Sequence, residues 1–123
     1  MNRMRRYRAG LAAEAAAALM LRARGWRIVA RRMKTPLGEI DIIAQRGDVT
    51  AFIEVKKRKH HEDAIAALRP QQQRRLIKAA RWWLAAHPQA LNGACRFDLV
   101  AVNEWMWPVH LVNVLDAGEL GQW

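Results

Sequence analysis

The sequence predicts an α/β fold with a mixed central β-sheet flanked by helices, in the order α-β-β-β-α-β-β. Two stretches have the composition of helices, and β-branched segments separated by turn residues lie between and after them. A helix that crosses between two strands joins parallel neighbours of a sheet, which is why a mixed sheet is expected. A length of 123 residues with 52% hydrophobic side chains predicts one compact domain, residues 1–123.

The first helix is predicted over residues 9–24. This stretch is rich in Ala and Leu, lacks Pro and ends before Gly25, a residue suited to terminate a helix. The preceding residues, 1–8, are expected to form a flexible basic arm that attracts nucleic acid without sequence preference. Its charges are those of Arg3, Arg5, Arg6 and Arg8.

Three strands are predicted next, over residues 26–30, 39–45 and 50–57. Pro36 and Gly38 mark the turn between the first two strands, and Gly47-Asp48 is a tight-turn signal between the second and the third. These turns predict that the three strands are consecutive antiparallel neighbours.

The second helix is predicted over residues 70–86, with Pro70 at the first helical position and Pro88 just past the end. Two further strands are expected over residues 96–102 and 109–114. The helix has a core-spaced apolar face, formed by Leu76, Ile77, Ala80, Trp83 and Leu84. The remaining surface is a basic stripe of Arg74, Arg75, Lys78 and Arg81 with Trp82. This stripe either contacts phosphates, with Trp82 stacked on an unpaired base, or is a solvated face.

Charge is distributed unevenly along the chain. The formal net charge is +10, and residues 1–81 hold 20 of the 21 Lys and Arg but only 7 of the 11 Asp and Glu. Such a concentration favours a surface that binds a polyanion over a merely soluble basic protein. The single cysteine, Cys95, favours a reducing cytoplasm, and no uncharged stretch approaches the ~18 residues that span a bilayer.

The tight turn fixes a register for the second and third strands. If Gly47-Asp48 is a two-residue loop, Asp41 lies opposite Glu54 and Glu39 lies opposite Lys56. All four side chains then point to one face, beside Ile43 and Phe52. The other face is apolar and consists of Ile40, Ile42, Ala44, Ala51, Ile53 and Val55, which supports the register independently.

Two opposed carboxylates need compensation, because like charges directly across a sheet destabilise it. A shared proton, the Lys56 ammonium or a bound cation can each supply it. Mg²⁺ takes oxygen ligands, can polarise a scissile phosphate and lowers the pKa of a bound water. Lys56 can orient that water, and Arg58 on the same face can hold a phosphate. The alternative is that these charges are the solvated face of a half-buried hairpin.

The segments Gly38-Glu39-Ile40-Asp41-Ile42-Ile43-Ala44 and Phe52-Ile53-Glu54-Val55-Lys56-Lys57-Arg58 resemble the signature of the YraN-like family of small bacterial proteins. Gly10 and Glu14, Gln73, Ala80 and Arg81, and Arg96-Phe97-Asp98 extend the resemblance over nearly the whole chain. That family is similar in fold to Holliday junction resolvases and other PD-(D/E)XK nucleases, which implies a restriction-endonuclease-like fold.

The resemblance implies a catalytic group of Asp41, Glu54, Lys56 and Glu14, in which Asp41, Glu54 and Glu14 bind Mg²⁺ or Mn²⁺. Residues expected to contact nucleic acid are Glu39, Lys57, Arg58, Gln73, Arg75, Lys78 and Arg81. From the residues alone, a surface Glu on an Ala-rich helix is the preferred interpretation of Glu14. Junction-resolving relatives imply a homodimer by analogy.

The leading expectation is a Mg²⁺- or Mn²⁺-dependent endonuclease that hydrolyses structured or damaged DNA. The alternatives are a nucleic-acid-binding module of the same fold that cleaves slowly or not at all, and a basic scaffold protein that binds ribosomal RNA or an acidic partner. We expect Arg96 and Asp98 to be structural residues that pair with each other or with site residues. Trp105, Trp107 and Trp123 are expected to pack on the sheet edge or in an oligomer contact.

Overall fold

The computed structural model describes residues 3–115, which form a five-stranded mixed sheet with helices on both faces. The elements are α1 (Arg3–Ala23), β1 (Arg27–Thr35), β2 (Gly38–Arg46), β3 (Val49–Lys57), α2 (His61–Ala66), α3 (Pro70–Ala86), a 3-10 helix (Pro88–Asn92), β4 (Ala94–Val102) and β5 (Pro108–Leu111). The predicted α/β class and the order α-β-β-β-α-β-β are confirmed, with the short α2 and the 3-10 helix in addition.

The strands lie in their chain order across the sheet. Neighbours are antiparallel except β3 and β4, which are parallel and are connected through α2 and α3. The predicted crossover by the second helix is therefore confirmed, and the basic strand β1 and the short strand β5 form the two edges.

The two large helices cover opposite faces of the sheet. α1 packs through Ala13, Ala17 and Leu21 on a face formed by Ile42, Ala44, Ala51, Ile53, Val100 and Val102. α3 packs through its predicted apolar residues on a face formed by Ile40, Ile43, Phe52 and Phe97. The predicted site residues of β2 and β3 are thus held in strands that lie between two helical layers.

Residues 3–8 are not an arm outside the helix, which corrects our expectation. They form the first turns of α1, because Arg and Met are good helix formers and neither Pro nor Gly interrupts residues 3–9. The helix ends as predicted at Gly25, whose φ of 88° is favourable only for glycine. The N–H of Trp26 closes this end by donating to the carbonyl of Leu21.

β1 continues to Thr35, five residues beyond its predicted end at Ala30. Its second half is the polar sequence Arg31-Arg32-Met33-Lys34, which carries no apolar alternation because this edge strand is largely exposed. β5 is shorter than predicted and ends at Leu111, where the chain turns so that Val114 N–H donates to the Phe97 carbonyl.

The register of β2 and β3 is the one predicted from the tight turn. Paired residues run from Arg46–Val49 to Ile42–Ile53, and Gly47 adopts a φ of 60° as such a turn requires. The expected face of Ile40 was wrong, since Ile40 packs with Ile43 on the α3 side. The alternation of side chains between the two faces of the sheet is interrupted at Asp41, which lies between Ile40 and Ile42. The Asp41 carboxylate accepts a hydrogen bond from the backbone of β3 instead of pointing away from the sheet.

Candidate active site

Two carboxyl groups meet where the β2–β3 ladder ends. Beyond the last paired residues, Ile42 and Ile53, the N–H of Val55 donates to Oδ2 of Asp41 at 2.8 Å. The carboxyl group of Glu54 lies close enough to that of Asp41 for the charge of Asp41 to raise the pKa of Glu54. A proton on one of two neighbouring carboxyl groups, or a cation between them, relieves their mutual repulsion. We call Asp41 and Glu54 the acid pair.

The environment of the acid pair raises the pKa of Glu54 from its ordinary 4.5 to about 9. The largest cause is burial, followed by the negative charge of Asp41 and the hydrogen bond to it. The positive charge of Lys56 lowers the pKa, and Glu39 adds a further increase. Glu54 therefore holds the shared proton at neutral pH, unless a cation takes the place of that proton.

Lys56 lies beside the acid pair on the same face of β3 as Glu54, because alternate residues of a strand share a face. Its Nζ is 3.8 Å from Oε1 of Glu54. The side chains of Lys56 and Glu54 are 18% and 20% exposed, so both are largely withdrawn from water but remain within reach of a ligand at the surface. Without Lys56, the acid pair would be a purely negative site that attracts only cations. The Lys56 ammonium adds a positive charge at the same place.

Glu14 comes to the neighbourhood of Asp41 from the other side, because α1 lies across that face of the sheet. It is only 5% exposed, which rules out a surface glutamate. Its Oε1 accepts a hydrogen bond from Nε of Arg31 at 2.9 Å and is 3.9 Å from Nε of Arg32. Glu14 and Asp41 line the same pocket of about 230 Å³, together with Val55. Glu14 thus fixes two arginines next to the acid pair.

A basic pocket that sequence reasoning missed adjoins these residues. It has a volume of about 380 Å³, and its lining residues are Tyr7, Arg31, Arg32, Lys34 and Glu39. We call it the α1–β1 pocket. The Tyr7 hydroxyl accepts a hydrogen bond from Nη1 of Arg32 at 3.3 Å. Three cations around one concavity are suited to a phosphate-bearing ligand. The available sequence signal was the run of basic residues in β1, which we did not recognise as part of a strand.

The predicted nucleic-acid contacts on α3 differ from one another in their surroundings. Arg75 and Lys78 are exposed. Arg81 is half-buried, and its Nε and Nη2 have no hydrogen-bond partner within residues 3–115. Gln73 has a structural bond, since its Nε2 donates to the carbonyl of Leu68 at 2.7 Å and ties α3 to the preceding loop.

The predicted contacts at the end of β3 are Lys57, which is half-buried, and Arg58, which is exposed. The Arg58 guanidinium donates to the carbonyl of Lys57 at 2.7 Å, a bond that leaves its other donors available. Glu39 is exposed and belongs to the α1–β1 pocket.

A second buried acid, Asp98, lies on β4 and differs from the acid pair in every contact. Its oxygens accept hydrogen bonds from Arg96 Nε at 3.1 Å, His110 Nε2 at 2.8 Å and the N–H of Asn113 at 2.9 Å. Burial alone would raise the pKa of Asp98, but the His110 bond, the Asn113 bond and the Arg96 charge outweigh it and lower the pKa. The expected pairing of Arg96 with Asp98 is confirmed.

Sequence comparison assigns the chain to a family. The pattern described as "Uncharacterised protein family UPF0102" matches residues 13–102. The chain belongs to the UPF0102 family. A UPF0102 protein of Rhodopseudomonas palustris (strain BisB18) is 48% identical over 116 residues, which are 94% of this chain and 86% of that protein. A UPF0102 protein of Chelativorans sp. (strain BNC1) is 47% identical over 117 residues, 95% of this chain and 94% of that protein.

Membership of the UPF0102 family confirms the predicted resemblance to YraN-like proteins. The segment matched by the family pattern contains Glu14, Asp41, Glu54 and Lys56, and it ends before Trp105 and Trp107. Within residues 3–115, no helix has the length and apolar character needed to cross a bilayer.

The three predicted metal ligands are not gathered into one cluster in this UPF0102 protein. Across the described part of the chain, no three His, Cys, Asp or Glu side chains form a group that could hold a metal ion. Asp41 and Glu54 are together, whereas Glu14 is engaged by Arg31. A donor set of two carboxylates still suits Mg²⁺, which commonly takes one or two carboxylates and completes its shell with water and phosphate oxygens.

Proposed function

We propose that this protein is a Mg²⁺- or Mn²⁺-dependent endonuclease that hydrolyses phosphodiester bonds in structured or damaged DNA. The observation that supports it is the acid pair with the Lys56 ammonium 3.8 Å from Glu54, next to a pocket lined by three cations. A cytoplasmic location, which the single cysteine favours, belongs to the same proposal.

The two residues of the acid pair are the ones that would hold the metal ion. When bound, such an ion polarises the scissile phosphate and makes hydroxide available near neutral pH. The N–H of Val55 fixes the orientation of the Asp41 carboxylate, because it occupies Oδ2 from the backbone. A strand backbone holds this donor in place more firmly than a surface side chain would.

Lys56 is the residue that we assign to charge stabilisation. Hydrolysis forms a bond from the water oxygen to phosphorus and breaks the ester bond, while negative charge grows on the phosphoryl oxygens and the leaving oxygen. An ammonium next to the acid pair can donate hydrogen bonds to that charge, in a site that is largely withdrawn from water. Arg31 and Arg32, held by Glu14, are placed to bind a flanking phosphate.

The test is a cleavage assay with purified protein on branched, flapped, single-stranded and duplex DNA, in Mg²⁺, Mn²⁺ or chelator. Asp41→Asn and Glu54→Gln remove charge with little change of shape, and Asp63→Asn is the matched control because Asp63 is an exposed acid of α2. We expect metal-dependent cleavage that both site variants lose and the control retains. Equal cleavage by both site variants would reveal a contaminating nuclease and contradict the assignment.

A second candidate is a nucleic-acid-binding module of the same fold that does not cleave. The observation in its favour is that Glu14 is paired with Arg31 and Arg32, which leaves two acids for a metal. Binding of these DNAs without cleavage of any of them, in either metal, would select this candidate. In both cases affinity should fall steeply with salt, because phosphate neutralisation releases counterions.

A further inference from the structure

The turn between β4 and β5 presents two tryptophans to solvent. Trp105 is 82% exposed and Trp107 is 69% exposed, so neither packs on the sheet edge, the first of the two placements that we expected; the second, an oligomer contact, stays a prediction. Trp123, the third tryptophan of that expectation, lies outside the described residues. Exposed tryptophans are uncommon on a monomer's surface and usually mark a place where something binds.

The turn that carries these tryptophans is well braced. Oδ1 of Asn103 accepts hydrogen bonds from the N–H groups of Trp105 at 2.9 Å and Trp107 at 3.0 Å. The N–H of Asn103 donates to the carbonyl of Trp107, and Met106 packs against the core on the α1 side. Because the backbone is fixed, a ligand of Trp107 has little ordering cost to overcome.

Trp107, unlike Trp105, lines a pocket of about 190 Å³ that also contains cations. The pocket includes Arg58, Lys59 and His60 from the segment after β3, the ion pair of His61 and Glu62 at the start of α2, and Val109 from β5. An aromatic ring beside two permanent positive charges matches a ligand with a flat ring and a phosphate. A nucleotide whose base is not stacked in a duplex is such a ligand.

The pocket is close to the acid pair along the chain. Arg58 is two residues beyond Lys56, and its N–H donates to the carbonyl of Val102, which keeps the two strands together past the end of β3. Two residues of a strand span about 7 Å. A nucleic acid with a phosphate at Lys56 therefore has a neighbouring phosphate within reach of Arg58, which lines the same pocket as Trp107.

We propose that the Trp107 pocket binds an unpaired nucleotide next to the scissile phosphate, with the base stacked on Trp107 and its phosphates held by Arg58 and Lys59. This rests on the proposed function for the choice of DNA and for the position of the scissile phosphate. The pocket then selects flapped, branched or gapped DNA over continuous duplex, because a base inside a duplex is already stacked on its neighbours.

The test measures binding of a labelled single-stranded oligonucleotide and of its blunt duplex by fluorescence anisotropy, in chelator so that no strand is cut. Trp107→Leu keeps an apolar side chain and removes the stacking ring, Trp107→Phe keeps a ring, and Trp105→Leu is the matched control outside the pocket. We expect Trp107→Leu to weaken single-strand binding about tenfold and leave duplex binding within about twofold. Trp107→Phe should recover most of the loss, and Trp105→Leu should bind like the wild type.

Equal losses for single strand and duplex, or no loss for either, would overturn the proposal. Light scattering on the same samples addresses the other occupant, since a dimer that Trp107→Leu dissociates would show that a second copy covers this surface. The cleavage assay separates the two proposals. Cleavage that needs Asp41 but ignores Trp107 would refute only the pocket, and Trp107-dependent single-strand binding without any cleavage would refute only the nuclease.

Discussion

Asp98 and Glu54 are buried acids on neighbouring strands, and they are treated in opposite ways. Asp98 faces Arg96, His110 and a backbone N–H, so its charge is matched and its pKa is lowered. Glu54 faces another acid, with one ammonium at 3.8 Å, and its pKa is raised. A buried carboxylate with hydrogen-bond donors and opposite charges around it belongs to the fold. A carboxyl group with few such partners is available to bind a ligand. On this difference we propose the acid pair, and not Asp98, as the chemical site.

The largest difference is expected in stability. Asp98→Asn should lower the free energy of unfolding by about 3 kcal/mol, because it leaves the Arg96 charge and the His110 ring without their buried partner. Glu54→Gln should not lower it, since Gln resembles the protonated acid and can donate to Asp41, and above about pH 5 it should raise it, because Gln takes up no proton on folding. Urea denaturation of both variants measures the two values. A loss in Glu54→Gln as large as that in Asp98→Asn would make Glu54 a structural residue.

The second difference concerns pH. Glu54 binds its proton more tightly in the folded state than in the unfolded chain, so stability should decline as pH rises from about 5 to 9, by at most about 1.4 kcal/mol per pH unit. Asp98 has a lowered pKa, so its contribution is present above its ordinary value of 3.8 and is lost in more acidic solution. The free energy of unfolding, measured across this pH range, should depend less on pH in the alkaline part for Glu54→Gln. It should depend less on pH in the acidic part for Asp98→Asn. If the free energy of unfolding fell with pH in the alkaline part as steeply in Glu54→Gln as in the wild type, the raised pKa of Glu54 would be contradicted.

The third difference concerns divalent metal. If the acid pair holds Mg²⁺, a concentration ten times the Kd should raise the free energy of unfolding by about 1.4 kcal/mol. The increase should be greater at alkaline pH, because the ion competes with the shared proton. Thermal unfolding with and without Mg²⁺ should show the shift in the wild type and in Asp63→Asn. Its persistence in Asp41→Asn would place the ion elsewhere.

The smallest difference is expected in DNA affinity, when a single Lys or Arg is replaced on one side or the other. Lys34 lines the α1–β1 pocket near the acid pair, whereas Arg46 lies over the Trp26 ring at 4.6 Å, on the side of the Asp98 network. Lys34→Ala should weaken DNA binding a few-fold and reduce the slope of log affinity against log salt by about 1. Arg46→Ala should leave that slope unchanged. The reverse result would put the nucleic acid on the Asp98 side.

Local patterns were enough to predict much of the fold. The Gly47-Asp48 turn and the alternation of β2 and β3 predicted the register that brings Asp41 to Glu54, and Pro70 marked the start of α3. The direction of Ile40 was wrong because alternation assumes a regular strand, whereas the Asp41 carboxylate is bonded to the backbone of β3. Such a bond depends on tertiary structure and leaves no mark in the local pattern.

The missing part of the site depends on how distant elements approach each other. Glu14 and Arg31 are 17 residues apart, and their ion pair exists only because α1 lies across the sheet beside β1. The exposure of Trp107 could not be predicted either, because apolar composition favoured packing on the sheet edge. The ring is exposed to solvent because β5 is short and because the hydrogen bonds of Asn103 fix the turn that carries Trp107.

The central claim is that the acid pair does the chemistry and is not needed for the fold. Its most direct test is the single-turnover rate of Mg²⁺-dependent cleavage of a flapped duplex by Glu54→Gln, measured with the free energy of unfolding of the same preparation. We predict a rate at least about 100-fold below that of the wild type with no loss of stability. A Glu54→Gln protein that is at least as stable as the wild type and cleaves at the wild-type rate would contradict the claim.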